Sequence, residues 1–126
     1  MKIWIVLGAA LSALGVGLGA FGAHALKAKL GPDMLAVFET GVRYQMMHGL
    51  GLFGVALAAS RYEHVGVTVA GWLLVAGVAL FSGSLYALSL SGVKVLGAIT
   101  PLGGLCFLAG WAALIWGVLA ASDKAP

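Results

Sequence analysis

The sequence ETGVRYQMMH at residues 39–48 is the one dense run of polar side chains that stands directly beside a long apolar stretch. It contains a carboxylate, a guanidinium, a phenol, an amide and an imidazole, and the twelve residues that follow it, 49–60, carry no charge. Ionisable groups at the edge of a bilayer are costly unless they have a partner, water or a function. The stretch therefore predicts a polar segment that leads into a membrane span.

The composition of the chain indicates that a bilayer is its solvent. Of the 126 residues, 62% are hydrophobic and 9% are charged, and the mean hydropathy is +1.08. A soluble domain of this size would carry roughly a quarter charged residues. The 20 glycines agree with this interpretation, since membrane helices approach one another through small residues. We expect a single transmembrane domain, residues 1–126, in contact with the lipid bilayer.

From the distribution of charge we expect no nucleic-acid partner. The net charge is +3, but the seven Lys and Arg residues are scattered singly along the predicted loops, which is ordinary for a membrane surface. Cys106 is the only cysteine and lies in an apolar run, so no disulfide can form within the chain.

Four apolar stretches are long enough to cross a bilayer. At about 1.5 Å per residue, 20 residues of helix cover a hydrocarbon core of about 30 Å. The predicted spans are residues 3–23, 41–60, 65–90 and 101–121. A cleaved signal peptide competes with the first span, because Lys2 precedes it and Ala23-His24-Ala25 imitates a cleavage site, although its apolar run is too long for a typical signal. The expected fold class is all-α, an integral membrane four-helix bundle.

Proline and glycine set the predicted helix boundaries. Gly31-Pro32-Asp33 predicts a helix that begins at Pro32, and Thr100-Pro101 predicts one that begins at Pro101 with Thr100 as its cap. After Pro32 an apolar face forms, so we expect a short amphipathic segment at the membrane interface between helices 1 and 2. Gly41 offers a kink, which leaves open whether this segment continues into the second span. The apolar face consists of Met34, Leu35, Phe38 and Val42.

Small residues repeat every four positions on two of the predicted spans. One stripe contains Gly15 and Gly19, and a second contains Ala109, Ala113, Gly117 and Ala121. Such stripes serve close packing either inside a subunit or between subunits. Because four helices bury little protein surface, we expect one stripe to face another copy, which makes the protein a homo-oligomer.

Four spans place both termini and the loop at residues 61–64 on the same side of the membrane. Four basic residues, Lys27, Lys29, Arg43 and Lys94, then lie on the opposite side, against three on the terminal side. The positive-inside rule favours outward termini by that one residue. Most Trp and Tyr residues fall near the two membrane interfaces, but Trp111 falls near the middle of its span.

Glu39 and Arg43 form the first candidate for chemistry. They are four residues apart with the acid first, the favourable order for an ion pair on a helix. Such a pair either anchors the helix at the interface or forms a site for an anion or lipid headgroup centred on Arg43.

Tyr44 and His48 are also four residues apart, with Gln45 placed to fix the tautomer of the imidazole. His24 is expected at the same membrane face. Two histidines without a third ligand, and without a zinc or haem motif, do not predict a metal or a cofactor.

Ser82 and Ser84 flank Gly83 without the strand of a nucleophile elbow, so their hydroxyls are interpreted as contacts between helices.

Four blocks of the sequence resemble the YgdD-like family, which comprises small bacterial inner-membrane proteins assigned to a domain of unknown function. The blocks are GAFGAHAL at 19–26, ETGVRYQ at 39–45, FSGSLY at 81–86 and GAITPLGG at 97–104. The resemblance covers nearly the whole chain and implies a four-helix, multi-pass protein of the inner membrane, but no activity; in that membrane the outward termini favoured by the charge count would be periplasmic. The motif residues are His24, Glu39, Arg43, Tyr44, Gln45, His48, Ser82, Ser84, Tyr86, Thr100 and Pro101.

These observations predict a structural or accessory membrane protein that self-associates or supports a larger complex of other membrane proteins. The alternative is a protein that binds or transports a lipid headgroup, a quinone or a small anion at the face of Glu39, Arg43 and His48. Transport is disfavoured because the polar groups stop near His48 and Ser82 instead of continuing through the membrane. No feature of the sequence favours an enzyme.

Overall fold

The protein is described here by a computed structural model, which covers residues 1–125. Five α-helices account for most of the chain: α1 (Lys2–His24), α2 (Pro32–Arg61), α3 (Val65–Gly77), α4 (Gly83–Ser91) and α5 (Thr100–Ala120). A π-helical segment, Val78–Ser82, joins α3 to α4 without a break. Short 3₁₀ helices occupy Leu26–Ala28 and Lys94–Ala98, and two short strands, β1 (Tyr62–Glu63) and β2 (Ser122–Asp123), pair antiparallel.

Three helical segments are long and apolar enough to cross a membrane. They are Lys2–Ala28, Val65–Ser91 and Lys94–Ala120. The 30-residue α2 is not one of them, since polar side chains such as Gln45 and His48 interrupt its middle. The expected helical architecture is therefore present, with three segments able to cross a membrane, whereas the predicted fourth crossing, by α2, is not established by length and composition.

Helices α1 and α2 pack antiparallel along their length. A Cβ placed on Gly8 would lie 2.8 Å from the carbonyl oxygen of Gly49, and a Cβ on Gly22 would lie 3.0 Å from the ring of Phe38. The residue numbers of the contacts thus increase along one helix as they decrease along the other. The missing side chains let the two helices approach closely, as small residues do in membrane proteins.

The two small-residue stripes, one of which was predicted to face another copy, both contribute glycines to helix contacts inside this subunit. Gly15 lies against the side chain of Met46 in α2, and Gly19 faces Val42. On α5, a Cβ at Gly117 would lie 2.7 Å from the backbone nitrogen of Val67 in α3. Gly15, Gly19 and Gly117 therefore pack helix on helix within the bundle, whereas Ala109, in the same stripe as Gly117, is exposed.

The expected amphipathic segment at the interface is not a separate element. Pro32 begins α2, with Asp33 in its first turn as predicted, and the helix continues through Gly41 to Arg61. Gly41 does not interrupt it. Instead its missing side chain admits the ring of Tyr86, which would lie 2.8 Å from a Cβ there. Phe38, from the apolar face of the expected segment, is fully buried.

The start of α5 differs from the prediction in its cap. Pro101 lies in the first turn, as expected, but Thr100 is already helical and the cap position belongs to Ile99. The hydroxyl of Thr100 bonds Ser84 in α4 instead of a backbone N–H of its own helix. At the other end of this loop, Gly92 closes α4 with a φ of 73°, a left-handed conformation that glycine adopts without a Cβ clash.

The two ends of the chain meet at one end of the bundle. Met1, Tyr62 and Lys124 line a common recess of about 530 Å³. The strands β1 and β2 hold the C-terminal tail there, and the ammonium of Lys124 donates a hydrogen bond of 2.6 Å to the carbonyl oxygen of Ala59. The sequence did not predict this pairing, because it relies on backbone groups that any residue supplies.

Candidate functional site

Buried polar side chains lie where α2 meets α1, α4 and α5. Gln45 is 3% exposed, and its amide nitrogen donates a 2.9 Å hydrogen bond to the carbonyl oxygen of Leu11 in α1. Its amide oxygen accepts a 2.7 Å hydrogen bond from the hydroxyl of Tyr86 in α4. One side chain therefore links three helices. Leu11 lies near the middle of α1, so this link is made inside the bundle and not at the end of the helix.

Two serines extend the network towards the π-helical segment. Ser82 is fully buried, and its hydroxyl donates a 2.7 Å hydrogen bond to the carbonyl oxygen of Gly41 in α2. Ser84 donates to the carbonyl oxygen of Phe81 at 2.9 Å, so its single proton is used. The 2.6 Å contact between the hydroxyls of Ser84 and Thr100 then requires Thr100 to be the donor. The interpretation of these hydroxyls as links between helices agrees with the geometry.

His48 is held through both ring nitrogens. Its Nδ1 lies 2.8 Å from the carbonyl oxygen of Tyr44, which can only accept, so Nδ1 carries the proton. Its Nε2 accepts a 3.0 Å hydrogen bond from the indole N–H of Trp111 in α5. The neutral ring protonated at Nδ1 is thus the form that matches both partners, and Gln45 does not fix the tautomer. The imidazole is 2% exposed and stacks on Phe107 with centroids 3.6 Å apart.

Nearly every buried polar side chain has found a partner inside the chain. Within residues 1–125, the hydroxyl of Ser12 is the buried side-chain polar atom left without a hydrogen bond. A polar group in a bilayer core must be satisfied by the protein, because lipid offers it no partner. The network therefore holds helices together and leaves little polar surface for a permeating solute.

A groove of about 630 Å³ lies beside His48, between α2 and α5. Its floor is aromatic: the ring of Tyr44 lies 4.5 Å from that of Phe81, and Phe81 lies 5.4 Å from Phe107. Its walls are aliphatic. The full lining is Tyr44, Met47, His48, Phe81, Pro101, Gly104, Leu105, Phe107, Leu108 and Trp111.

Three of the predicted site residues lie away from the network. His24, Glu39 and Arg43 are exposed, His24 at the end of α1 and the other two on α2. Two positions along an α-helix rotate a side chain by about 200°. Because Gly41 and Gln45 face the bundle, Arg43 between them faces outward. The structure thus brings several predicted residues together at the contacts between helices, in separate hydrogen-bonded pairs and the groove beside them. They are Tyr44, Gln45, His48, Ser82, Ser84, Tyr86 and Thr100.

Three contributors to the site were missed from the sequence. The carbonyl oxygen of Leu11 leaves no trace in a sequence, and Phe107 is one apolar residue among many. Trp111 did leave a signal, because it lies near mid-span where an indole N–H needs a partner within the protein. Its bond to His48 accounts for that position.

No group of three or more His, Cys, Asp or Glu side chains in the described part of the chain could hold a metal ion. His48, the buried histidine, already uses both nitrogens within the protein. Cys106 is half-buried and free.

Comparison with known proteins gives a family but no activity. The family model described as "Protein of unknown function (DUF423)" matches residues 18–104, more than half of the chain. The UPF0382 membrane protein YwdK of Bacillus subtilis is 53% identical over 116 residues, which cover 91% of this chain and 94% of the relative. The UPF0382 membrane protein SH2409 of Staphylococcus haemolyticus is 51% identical over 115 residues, covering 91% of this chain and 93% of the relative. No solved structure matches the chain.

These findings bear out the expectation of a membrane protein family of unknown function, although neither the family model nor these two relatives carry the YgdD-like name. The match to residues 18–104 includes the loops at both ends of α2 and the π-helical segment. The chain therefore belongs to the DUF423 family, and the relatives it resembles are named as membrane proteins.

Proposed function

We propose that this chain is a four-crossing structural or accessory protein of the bacterial inner membrane, which self-associates or supports a larger complex. The observation that carries the proposal is the closed polar network. Gln45, His48 and Ser84 use their hydrogen-bonding groups inside the same subunit, partly on other helices and partly on nearby backbone carbonyls. A transporter or an enzyme would need some of those groups free for a solute or a substrate. Here their role is to fix how the helices assemble.

The antiparallel contact between α1 and α2 supports the fourth crossing. From Gly22 opposite Phe38 to Gly8 opposite Gly49, α2 follows a helix that is itself a candidate span. Helix α2 can cross although it is less apolar, because Gln45 and His48 in its middle are buried in protein. Polar residues in membrane helices usually face the bundle interior in this way. With four crossings, the recess that contains Met1 and Lys124 lies on one side, which the positive-inside rule places in the periplasm.

Cysteine labelling tests the fourth crossing. In a Cys106→Ala background, single cysteines are placed at Lys29, between α1 and α2, and at Ser122, after α5. We expect a membrane-impermeant maleimide to reach the two positions from opposite sides of intact membrane vesicles. With only the three apolar segments crossing, both cysteines would react from the same side, and the four-crossing proposal would be wrong.

Self-association has an available surface on the outer face of α1. Ala9, Ala13 and Gly17 repeat every four residues and are exposed, and a Cβ at Gly17 would meet no atom within 4 Å. This stripe lies beside the glycines that pack on α2. Small residues at this spacing let two membrane helices approach closely.

We expect Gly17→Leu to reduce the mass of the detergent-released complex from an oligomer to a monomer, because a bulky side chain separates the two copies. Native mass spectrometry measures that mass. Gly54→Leu on α2 is the matched control and should leave it unchanged, because Gly54 is also exposed and an added Cβ there meets no atom within 4 Å. A wild-type protein that is already monomeric would contradict self-association and leave the support of a larger complex as the remaining form of the proposal.

The second candidate function is binding of a membrane-soluble ligand, the alternative that the sequence raised as a lipid headgroup, a quinone or a small anion. The groove between α2 and α5 favours it, because a monomer's own packing leaves about 630 Å³ unfilled there. Small-molecule pockets typically measure roughly 300–1,000 Å³ and are mostly apolar. Binding is compatible with an accessory role, since the two nitrogen-bearing rings of the lining, His48 and Trp111, keep their hydrogen bonds within the protein.

A further inference from the structure

We propose that the groove between α2 and α5 holds one acyl chain of an anionic phospholipid, whose headgroup is bound by Arg43. The inference goes beyond an accessory role, and it rests on α5 crossing the membrane, which its length and apolar composition support. Three observations carry it: the length of the groove, the chemistry of its lining and the charge at one end.

The length of the groove matches one leaflet of a bilayer. Along α5 its lining runs from Pro101, in the first turn, to Trp111. Ten residues of α-helix measure about 15 Å, which is half of a hydrocarbon core of about 30 Å. The groove therefore extends from the membrane boundary to the midplane, the depth that an acyl chain of that leaflet occupies. Trp111, which packs against Gly51 in α2, closes its inner end.

The lining presents carbon to an occupant. The two nitrogen-bearing rings in it, His48 and Trp111, direct their polar atoms at each other and at the carbonyl oxygen of Tyr44. A quinone would need donors for its two carbonyl oxygens along the groove, and these rings supply none. A hydrocarbon chain needs no such partner. The remaining polar side chain of the lining is that of Tyr44, a residue that precedes His48 by one turn of α2.

The charge at the open end fits an anionic headgroup. Arg43 is exposed and precedes Met47, a lining residue, by four positions, so the two lie on the same stripe of α2. A guanidinium binds phosphate through paired hydrogen bonds. At this end of the bundle the loops and helix ends also carry three lysines and two carboxylates, a basic excess that attracts anionic lipid. These residues are Lys27, Lys29, Lys94, Asp33 and Glu39.

Lipid retention tests the proposal on the full-length chain. The protein is reconstituted in vesicles of equal parts phosphatidylglycerol and phosphatidylcholine, released in a mild detergent and examined by native mass spectrometry. We expect the wild type to retain one phospholipid per subunit and to prefer phosphatidylglycerol. Gly104→Leu should reduce retention about tenfold, since it fills the groove and a tenfold loss corresponds to roughly two methylene groups of buried chain. A Cβ at Gly104 has room, with its nearest neighbour, in Phe81, 4.0 Å away.

Two control variants separate the parts of the proposal. Gly17→Leu, on the far helix, should retain lipid as the wild type does even where it lowers the mass of the complex. Arg43→Gln should retain phosphatidylglycerol and phosphatidylcholine equally, whereas Arg61→Gln, at the opposite end of α2, should keep the preference. If Gly104→Leu does not fold, as judged by its thermal melt, Met47→Trp fills the same groove from the α2 wall.

Equal retention by the wild type and a folded groove-filling variant would overturn the proposal. So would a wild type that prefers phosphatidylcholine or shows no preference, or one that retains a quinone in place of a phospholipid. Subunit stoichiometry is read from the same spectra as protein mass, so a failure of lipid retention is distinguishable from a failure of self-association.

Discussion

Replacing Gly103 by Ala is expected to lower the free energy of unfolding by about 2–3 kcal/mol, whereas the same change at Gly104 should cost less than about 0.5 kcal/mol. Gly103 is the point where α5 crosses the π-helical segment. A Cβ there would meet the backbone nitrogen of Phe81 and lie 2.7 Å from its Cα. Backbone atoms cannot rotate away as a side chain can, so α5 itself would have to move.

The comparison with Gly104 isolates this contact. The two glycines are adjacent on α5 and lose the same backbone flexibility on substitution, but a Cβ at Gly104 has no neighbour closer than 4.0 Å. Unfolding of both variants in mixed micelles of one detergent with increasing sodium dodecyl sulfate, at fixed pH, measures the difference. Equal stability of the two variants would mean that α5 does not approach the π-helical segment as closely as the structure shows.

The outline of this fold follows from the sequence because helix ends have local causes. Pro32 and Pro101 mark the first turns of α2 and α5 through the fixed φ of proline, and Gly92 ends α4 through its left-handed φ. The π-helical segment was anticipated only as an interruption near Ser82. A widened turn changes hydrogen bonds by one residue and needs no special residue type, so the pattern of apolar residues does not locate it.

The sequence locates the stripe of small residues on α1, but it does not show which surface packs against that stripe. The spacing of Gly15 and Gly19 predicts a smooth face on α1, but a smooth face fits another copy as well as α2. What decides is the opposite surface, where Val42 and Met46 fill the space left by the two glycines. That information is distributed over two helices and does not appear in either alone.

The sequence predicted the residue types of the candidate site but did not separate the side chains that face the bundle from those that face outward. Charge directed attention to Arg43, yet the residues that face the bundle are Gly41, Gln45 and His48, which repeat at helical spacing. A buried amide can satisfy both ends through neighbouring helices, as Gln45 does, while a guanidinium has five donors to satisfy. In a bilayer core the side chain with fewer hydrogen-bonding groups to satisfy is therefore the one that is buried. Arg43 remains at the surface, where a phosphate can accept hydrogen bonds from its five N–H donors.

Trp111→Phe is expected to lower the free energy of unfolding by about 1–2 kcal/mol. Hydrogen bonds between membrane helices average only about 0.6 kcal/mol, because the separated helices also find partners. The larger value is expected here because Phe leaves Nε2 of His48 unpaired in a position that is 2% exposed. Trp72→Phe is the matched control, since Trp72 is 51% exposed and its loss leaves no buried group without a partner.

A double-mutant cycle separates the unpaired nitrogen from the volume lost with the indole. His48→Phe/Trp111→Phe removes both partners and keeps an aromatic ring in place to stack on Phe107, so the double variant should be less destabilised than the sum of the singles by about 1 kcal/mol. Strict additivity would show that packing against Gly51, and not the hydrogen bond, makes Trp111 important. A ¹⁵N spectrum of the wild type with the proton on Nε2 of His48 would contradict the arrangement directly, since the indole N–H would then face a second donor.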